Sequence, residues 1–137
     1  MRVLVVDDEP AFSEPLAERL ALRGYATAQD ADAALAELAR GPRDLIFLDV
    51  GLPGMDGVDL LKILREHYPQ TDVVMLSGAG DMGKAVQAMR RGALNWLSKP
   101  VAWTASLRNV ARRRSAQAHG RKQPVWPRQP AGAALAG

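Results

Sequence analysis

The sequence predicts a doubly wound α/β fold on a five-stranded parallel sheet. Two observations carry this. Five short apolar runs alternate with helical patterns of about ten residues, and that alternation implies βαβ crossovers and a parallel sheet. The runs are also continuous rather than alternating in polarity, as strands covered on both faces should be.

The strands are read at residues 3–6, 25–28, 45–48, 73–76 and 94–97. The second is weak and is placed mainly by its position in the series. Leu16 and Leu20, spaced i, i+4, mark the first helix. Pro15 is awkward there, because in mid-helix it removes a hydrogen bond and clashes with the preceding turn. Either Ser13 caps a helix with Pro15 in its first regular turn, or a kinked helix starts at Pro10. Further helices are predicted over 31–40, 58–67 and 82–91. A fifth begins near Ala102, with Trp103, Leu107 and Val110 on one face. Gly24, Gly41-Pro42, Pro69 and Gly92 are the stop signals after the first four helices. From about Ser115 the pattern dissolves, and "RKQPVWPRQPAGAALAG" reads as a linker or disordered tail. The division is a domain over 1–118 and a tail over 119–137. Trp126 in that tail either packs back on the domain, contacts a neighbour or lies exposed.

With 137 residues the chain suits one domain and one core. It has no cysteine, which excludes disulfides and thiolate metal sites. No apolar run approaches the ~20 residues of a membrane span, and "MRVLVVDDEP" has too short an apolar run for a signal peptide. A cytoplasmic protein is expected. The net charge of +3 hides an asymmetry: residues 1–107 hold 11 Lys/Arg against 15 Asp/Glu, whereas 108–137 hold 7 Lys/Arg and no acid. Such a basic tail suits either nucleic acid or a solvated helix end and linker. The second reading is preferred, because nothing in the chain reads a base.

Polar residues stand at the strand ends. The first strand runs into Asp7-Asp8, the third into Asp49, the fourth into Ser77, and Lys99-Pro100 follows the fifth. In an open α/β sheet the functional crevice lies outside the C-terminal strand ends, where strand order reverses. For the order 2-1-3-4-5 that point falls between strands 1 and 3. Asp7, Asp8 and Asp49 would converge there, with Ser77 and Lys99 next along the edge. Clustered carboxylates repel, and a divalent cation relieves that repulsion. Oxygen ligands without His or Cys select a hard ion, Mg²⁺ first. A carboxylate nucleophile beside a metal, a cation and a hydroxyl donor is equipped for phosphoryl transfer, with Asp49 attacking phosphorus. Each piece alone has an ordinary reading: "DDE" as a helix cap, and Asp49, Ser77 and Lys99 as turn or loop residues. Their joint placement favours the chemical one. Asp56, in "MDG", is read as structural, ending the loop and capping the next helix.

The segments "VLVVDDEP", "DLIFLDVGLPGMDGVDLLKILRE", "VVMLSGAGD" and "AVQAMRRGALNWLSKP" together resemble a response-regulator receiver domain of the chemotaxis-regulator type, from about Val3 to Val110. That resemblance implies a flavodoxin-like (βα)5 fold and a role in two-component signalling. It makes Asp49 the phosphoacceptor, Asp8 a direct Mg²⁺ ligand and Asp7 its partner. It also makes the Gly51 carbonyl a metal ligand, Lys99 the phosphoryl-contacting lysine before a cis Pro100, and Ser77 the hydroxyl switch. A sensor histidine kinase or histidine phosphotransferase would donate the group. The domain would catalyse only its own phosphotransfer and autodephosphorylation, without turnover. The family's aromatic switch position holds Trp96 instead of Tyr or Phe. An indole needs more room to turn inward, and Gly78 and Ala79 are small neighbours. The face of the fourth helix, fifth strand and fifth helix is the family's output and homodimerisation surface; here it includes Met89, Arg90, Trp96 and Trp103.

Three other readings fit less well. A metal-dependent phosphohydrolase with an Asp nucleophile would carry D-x-D, which Asp49-Val50-Gly51 lacks. A nucleotide or flavin binder would carry a G-x-G-x-x-G or P-loop after the first strand, where "DDE" would repel phosphate. A stand-alone interaction protein with a silent Asp49 would not need the intact acid, Lys and Ser set. Residues after the last helix are too few for an output domain. A chain cut from a longer transcriptional regulator is the expectation, with a single-domain regulator acting through protein contacts or phosphorelay as the alternative.

Overall fold

Three apolar segments dominate the interior, and they do so because they stack side by side. In a computed structural model, residues 2–8, 26–78, 81–101 and 103–120 are described. The elements are β1 (Val3–Val6), β2 (Ala26–Ala28), α1 (Ala31–Arg40), β3 (Leu45–Asp49), α2 (Gly57–His67), β4 (Asp72–Ser77), α3 (Met82–Arg90), β5 (Asn95–Ser98) and α4 (Trp103–Gly120). Thus α3 and α4 are the fourth and fifth helices expected from the sequence. The first expected helix, with Ser13, Pro15, Leu16 and Leu20, lies outside the described residues, as do Gly24, Ala79, Trp126 and residues 121–137.

All strand pairs are parallel, and the sheet order is β2-β1-β3-β4-β5. Residues 3–6, 45–48 and 73–76 are fully buried. Their alternate side chains feed two cores. Leu4, Val6, Ile46, Leu48, Val73 and Met75 pack with Ala34 and Leu38 of α1, Leu60, Leu61 and Leu64 of α2 and Ala88 of α3. Val3, Val5, Leu45, Phe47, Val74 and Leu76 pack with Val110 of α4 on the opposite face. Burying one such side chain contributes about 1.5–3 kcal/mol, so the central strands outweigh any single polar contact in fixing the architecture.

The helix ends obey local chemistry. Asp30 caps α1, its carboxylate accepting from Ala33 N–H at 2.8 Å. Asp56 caps α2, accepting from Val58 N–H at 2.8 Å, as the sequence anticipates. Gly92 ends α3 at φ +101, a left-handed conformation that favours glycine. Most boundaries shift by a residue from the sequence reading: β3 runs on to Asp49, α2 starts at Gly57, β4 spans Asp72–Ser77, α3 ends at Arg90 and β5 ends at Ser98. β5 starts at Asn95 rather than Leu94: Leu94 N–H already donates to Val73 O at 2.8 Å, but the ladder registers from Asn95 opposite Val74. α4 continues to Gly120, past Ser115 where the apolar pattern fades. Just before that point, Arg113 Nη1 donates to Leu94 O at 3.2 Å and Arg114 Nε to Asp72 Oδ2 at 2.8 Å.

Candidate functional site

Strand register determines which residues share the C-terminal edge of the sheet. Val6 pairs with Leu48, so Asp7 and Asp49 emerge side by side from β1 and β3. Asp49 pairs with Leu76, placing Ser77 one step beyond. Ser77 pairs with Ser98, placing Lys99 one step further. Strand order reverses between β1 and β3, the place where open α/β sheets bind ligands.

The charges are close and mostly buried. Lys99 Nζ lies 3.0 Å from Asp7 Oδ2 and 3.3 Å from Asp49 Oδ2. The Asp7 side chain is fully buried and that of Asp49 is 9% exposed, while Asp8 is exposed. Asp49 Oδ1 accepts from Gly51 N–H at 3.1 Å. The two oxygens of Asp49 are therefore held differently, one by its own loop and one by the lysine. Ser77 is buried, and its carbonyl accepts Lys99 N–H at 2.7 Å, tying the lysine's backbone to the end of β4. The Lys99-Pro100 peptide is cis.

One oxygen each from Asp7, Asp8 and Asp49 lies within 4.8 Å of the others. Opposite ligands on an octahedral Mg²⁺ are about 4 Å apart, at ~2.1 Å per bond, so a small closure suffices. The donor set is all oxygen, which suits a hard ion. Among the described residues, three carboxylates stand against one nearby lysine, a negative excess that a divalent cation would neutralise. The residues fit such an ion.

Asp56 stands apart from this cluster. Its Oδ2 lies 2.6 Å from Lys84 Nζ on α3. Burial alone lifts the Asp56 carboxyl; the hydrogen bond from Lys84, the Val58 N–H and the charge of Lys84 outweigh it and hold the group below the ordinary carboxylate range. Lys84 is raised in turn, by that hydrogen bond and then by the charge of Asp56. Sequence reasoning missed Lys84, since a pair 28 residues apart depends on how α2 and α3 pack. Trp96 is half-buried and packs against the core on the α1–α3 side. Its Nε1–H is buried without an acceptor among the described residues. Among the described side chains of α3, Val86 and Met89 are the large apolar ones that lie exposed. The side chain of Trp103 lies outside the described residues.

The family model described as "Response regulator receiver domain" matches residues 3–111. The nitrogen assimilation regulatory protein NtrX of Azorhizobium caulinodans is 47% identical over 102 residues, covering 72% of this chain and 22% of that protein. The transcriptional regulatory protein KdpE of Mycobacterium tuberculosis is 40% identical over 128 residues, covering 90% of this chain and 56% of that protein. Among solved structures, the receiver domain of NtrX from Brucella abortus superposes with a TM-score of 0.75 at 37% identity, covering 81% of this chain and 96% of that one. The chain thus spans between about a fifth and somewhat over half of these curated relatives. It belongs to the response regulator receiver domain family.

Proposed function

We propose that this receiver domain takes a phosphoryl group onto Asp49 from a phosphohistidine of a sensor histidine kinase or histidine phosphotransferase. The observation that carries the proposal is the meeting of Asp7, Asp8 and Asp49 with Lys99 at the C-terminal edge of the sheet. In the transfer an Asp49 oxygen forms the new O–P bond. The N–P bond breaks, and its electron pair stays on the imidazole nitrogen. Lys99, already 3.3 Å from Asp49 Oδ2, would release that oxygen and compensate charge on the incoming phosphoryl oxygens. Ser77 would donate its hydroxyl to one of them. Asp7, Asp8, Asp49 and the Gly51 carbonyl would hold Mg²⁺, which supplies charge neutralisation for the phosphoryl oxygens.

The readout surface would be the α3–β5–α4 face, with Ser77 and Trp96 linking it to the site. Homodimerisation through that face is one outcome, and direct nucleic-acid binding by this chain is not part of the reading. Among the described residues no helix is long and apolar enough to cross a membrane. The relatives are named as transcriptional and assimilation regulators and are longer than this chain, which supports a place within a longer transcription regulator. Incubation with Mg²⁺ and acetyl phosphate should give an acid-stable, base-labile adduct. Asp49→Asn should abolish it; an adduct that survives this change would overturn the assignment.

A further inference from the structure

Gly57 is the first residue of α2 and presses on the peptide that carries Asp49. A Cβ placed on it would lie 2.5 Å from the Asp49 carbonyl oxygen, 2.6 Å from Val50 Cα and 3.2 Å from the Asp49 carbonyl carbon. Carbon atoms pack best at about 3.5–4.0 Å, so no side chain fits without moving backbone. Neither partner moves easily. Val58, Leu60, Leu61 and Leu64 lock α2 into the core, and Asp56 caps the helix. Across the contact, Val50 N–H donates to Leu76 O at 2.9 Å, and Gly57 N–H donates back to Val50 O at 3.0 Å. The end of β3 is clamped between β4 and the start of α2.

We infer that Gly57 is a positioning residue for phosphoryl acceptance. Its missing side chain sets where the 49–50 peptide sits, and thereby where the Asp49 carboxylate stands relative to Lys99 and Asp7. The inference rests on Asp49 being the acceptor. An added Cβ must displace a β3 end that carries the carboxylate, and a misplacement near 1 Å can lower a rate about 100-fold. At Gly83 on α3 a Cβ would meet nothing within 4 Å, which makes that position the control.

The test compares wild type, Gly57→Ala and Gly83→Ala. The temperature is one at which circular dichroism shows each to be fully folded. Labelling by acetyl phosphate is measured across donor and Mg²⁺ concentrations, together with the half-life of the adduct. For Gly57→Ala the rate constant at saturation should fall about 100-fold, with a changed adduct half-life, while the donor concentration for half-saturation shifts little. Gly83→Ala should match wild type. A purely structural glycine would lower the melting temperature and leave both rates per folded molecule unchanged; that result overturns the inference. If Gly57→Ala is unfolded in buffer, an osmolyte that favours the folded state is added to all three proteins and the same comparison is made. A labelled wild type beside an equally fast Gly57→Ala overturns this inference alone. An unlabelled wild type overturns it together with the assignment of Asp49.

Discussion

Both ends of the sheet bury charge, and they do it in opposite ways. At the N-terminal edge the buried charges of Arg43 and Asp72 each face an opposite charge. Arg114 meets Asp72 at 2.8 Å, and beside them the backbone N–H of Arg2 donates to the exposed Asp44 carboxylate at 2.6 Å. Buried Arg43 lies 3.4 Å from Glu37 and donates to Val3 O, while Thr71 Oγ1 donates to Arg43 O at 2.8 Å. At the C-terminal edge, among the described residues, three carboxylates share one nearby lysine. Balanced charge of the first kind joins elements together. Unbalanced charge of the second kind suits a divalent cation.

Four changes would break or sharpen that contrast. The largest effect is chemical: Asp49→Asn should reduce labelling by acetyl phosphate to background, read by base-labile incorporation, with the fold retained. Next comes the balanced edge. Arg114→Ala leaves the Asp72 carboxylate, only 7% exposed, without its arginine; denaturant unfolding should show a loss of about 2–3 kcal/mol, less than for a wholly buried pair because Arg114 is itself partly hydrated. The unbalanced edge should respond with the opposite sign. Asp7→Asn removes one of three mutually repelling carboxylates, so Mg²⁺-free protein should gain stability, on the order of 1 kcal/mol. The stabilisation that Mg²⁺ gives wild type, about 2.7 kcal/mol at a hundred times its dissociation constant, should vanish in that variant. An Asp7→Asn protein that melts earlier without Mg²⁺ would contradict the contrast.

The smallest effect belongs to the surface pair Asp56–Lys84. The Asp56 carboxyl is lowered on folding, so its contribution is present above the ordinary carboxylate pKa and fades as pH falls through the lowered value. Lys84 is raised, so its contribution is present below the ordinary lysine pKa and fades as pH rises through the raised value. The melting-temperature difference between wild type and Lys84→Gln should be flat between those limits, shrink at strongly acidic and strongly basic pH, and weaken in high salt.

The candidate site was readable to the extent that it follows from the sheet itself. Asp7, Asp49 and Ser77 each close an apolar run and Lys99 stands just past one, and a parallel sheet carries such ends to one edge. Asp56 was legible as a cap because capping is local. What escaped depends on packing between elements. Lys84 meets Asp56 only because α3 lies beside α2. Gly57 is visible in the sequence, but the backbone it touches is not. Past Val110, Arg113 and Arg114 of α4 find Leu94 O and Asp72, partners that lie far off in the sequence.

Asp7 comes from β1, Asp49 from β3, and Lys99, 50 residues beyond Asp49, follows β5 at the border of the sheet. A ribosome releases the first two long before the lysine. Pairings between distant segments form late and slowly, so a half-made domain holds its aspartates but not the cation that completes them. On the proposed function, the full acceptor set is assembled only once β5 has joined the sheet.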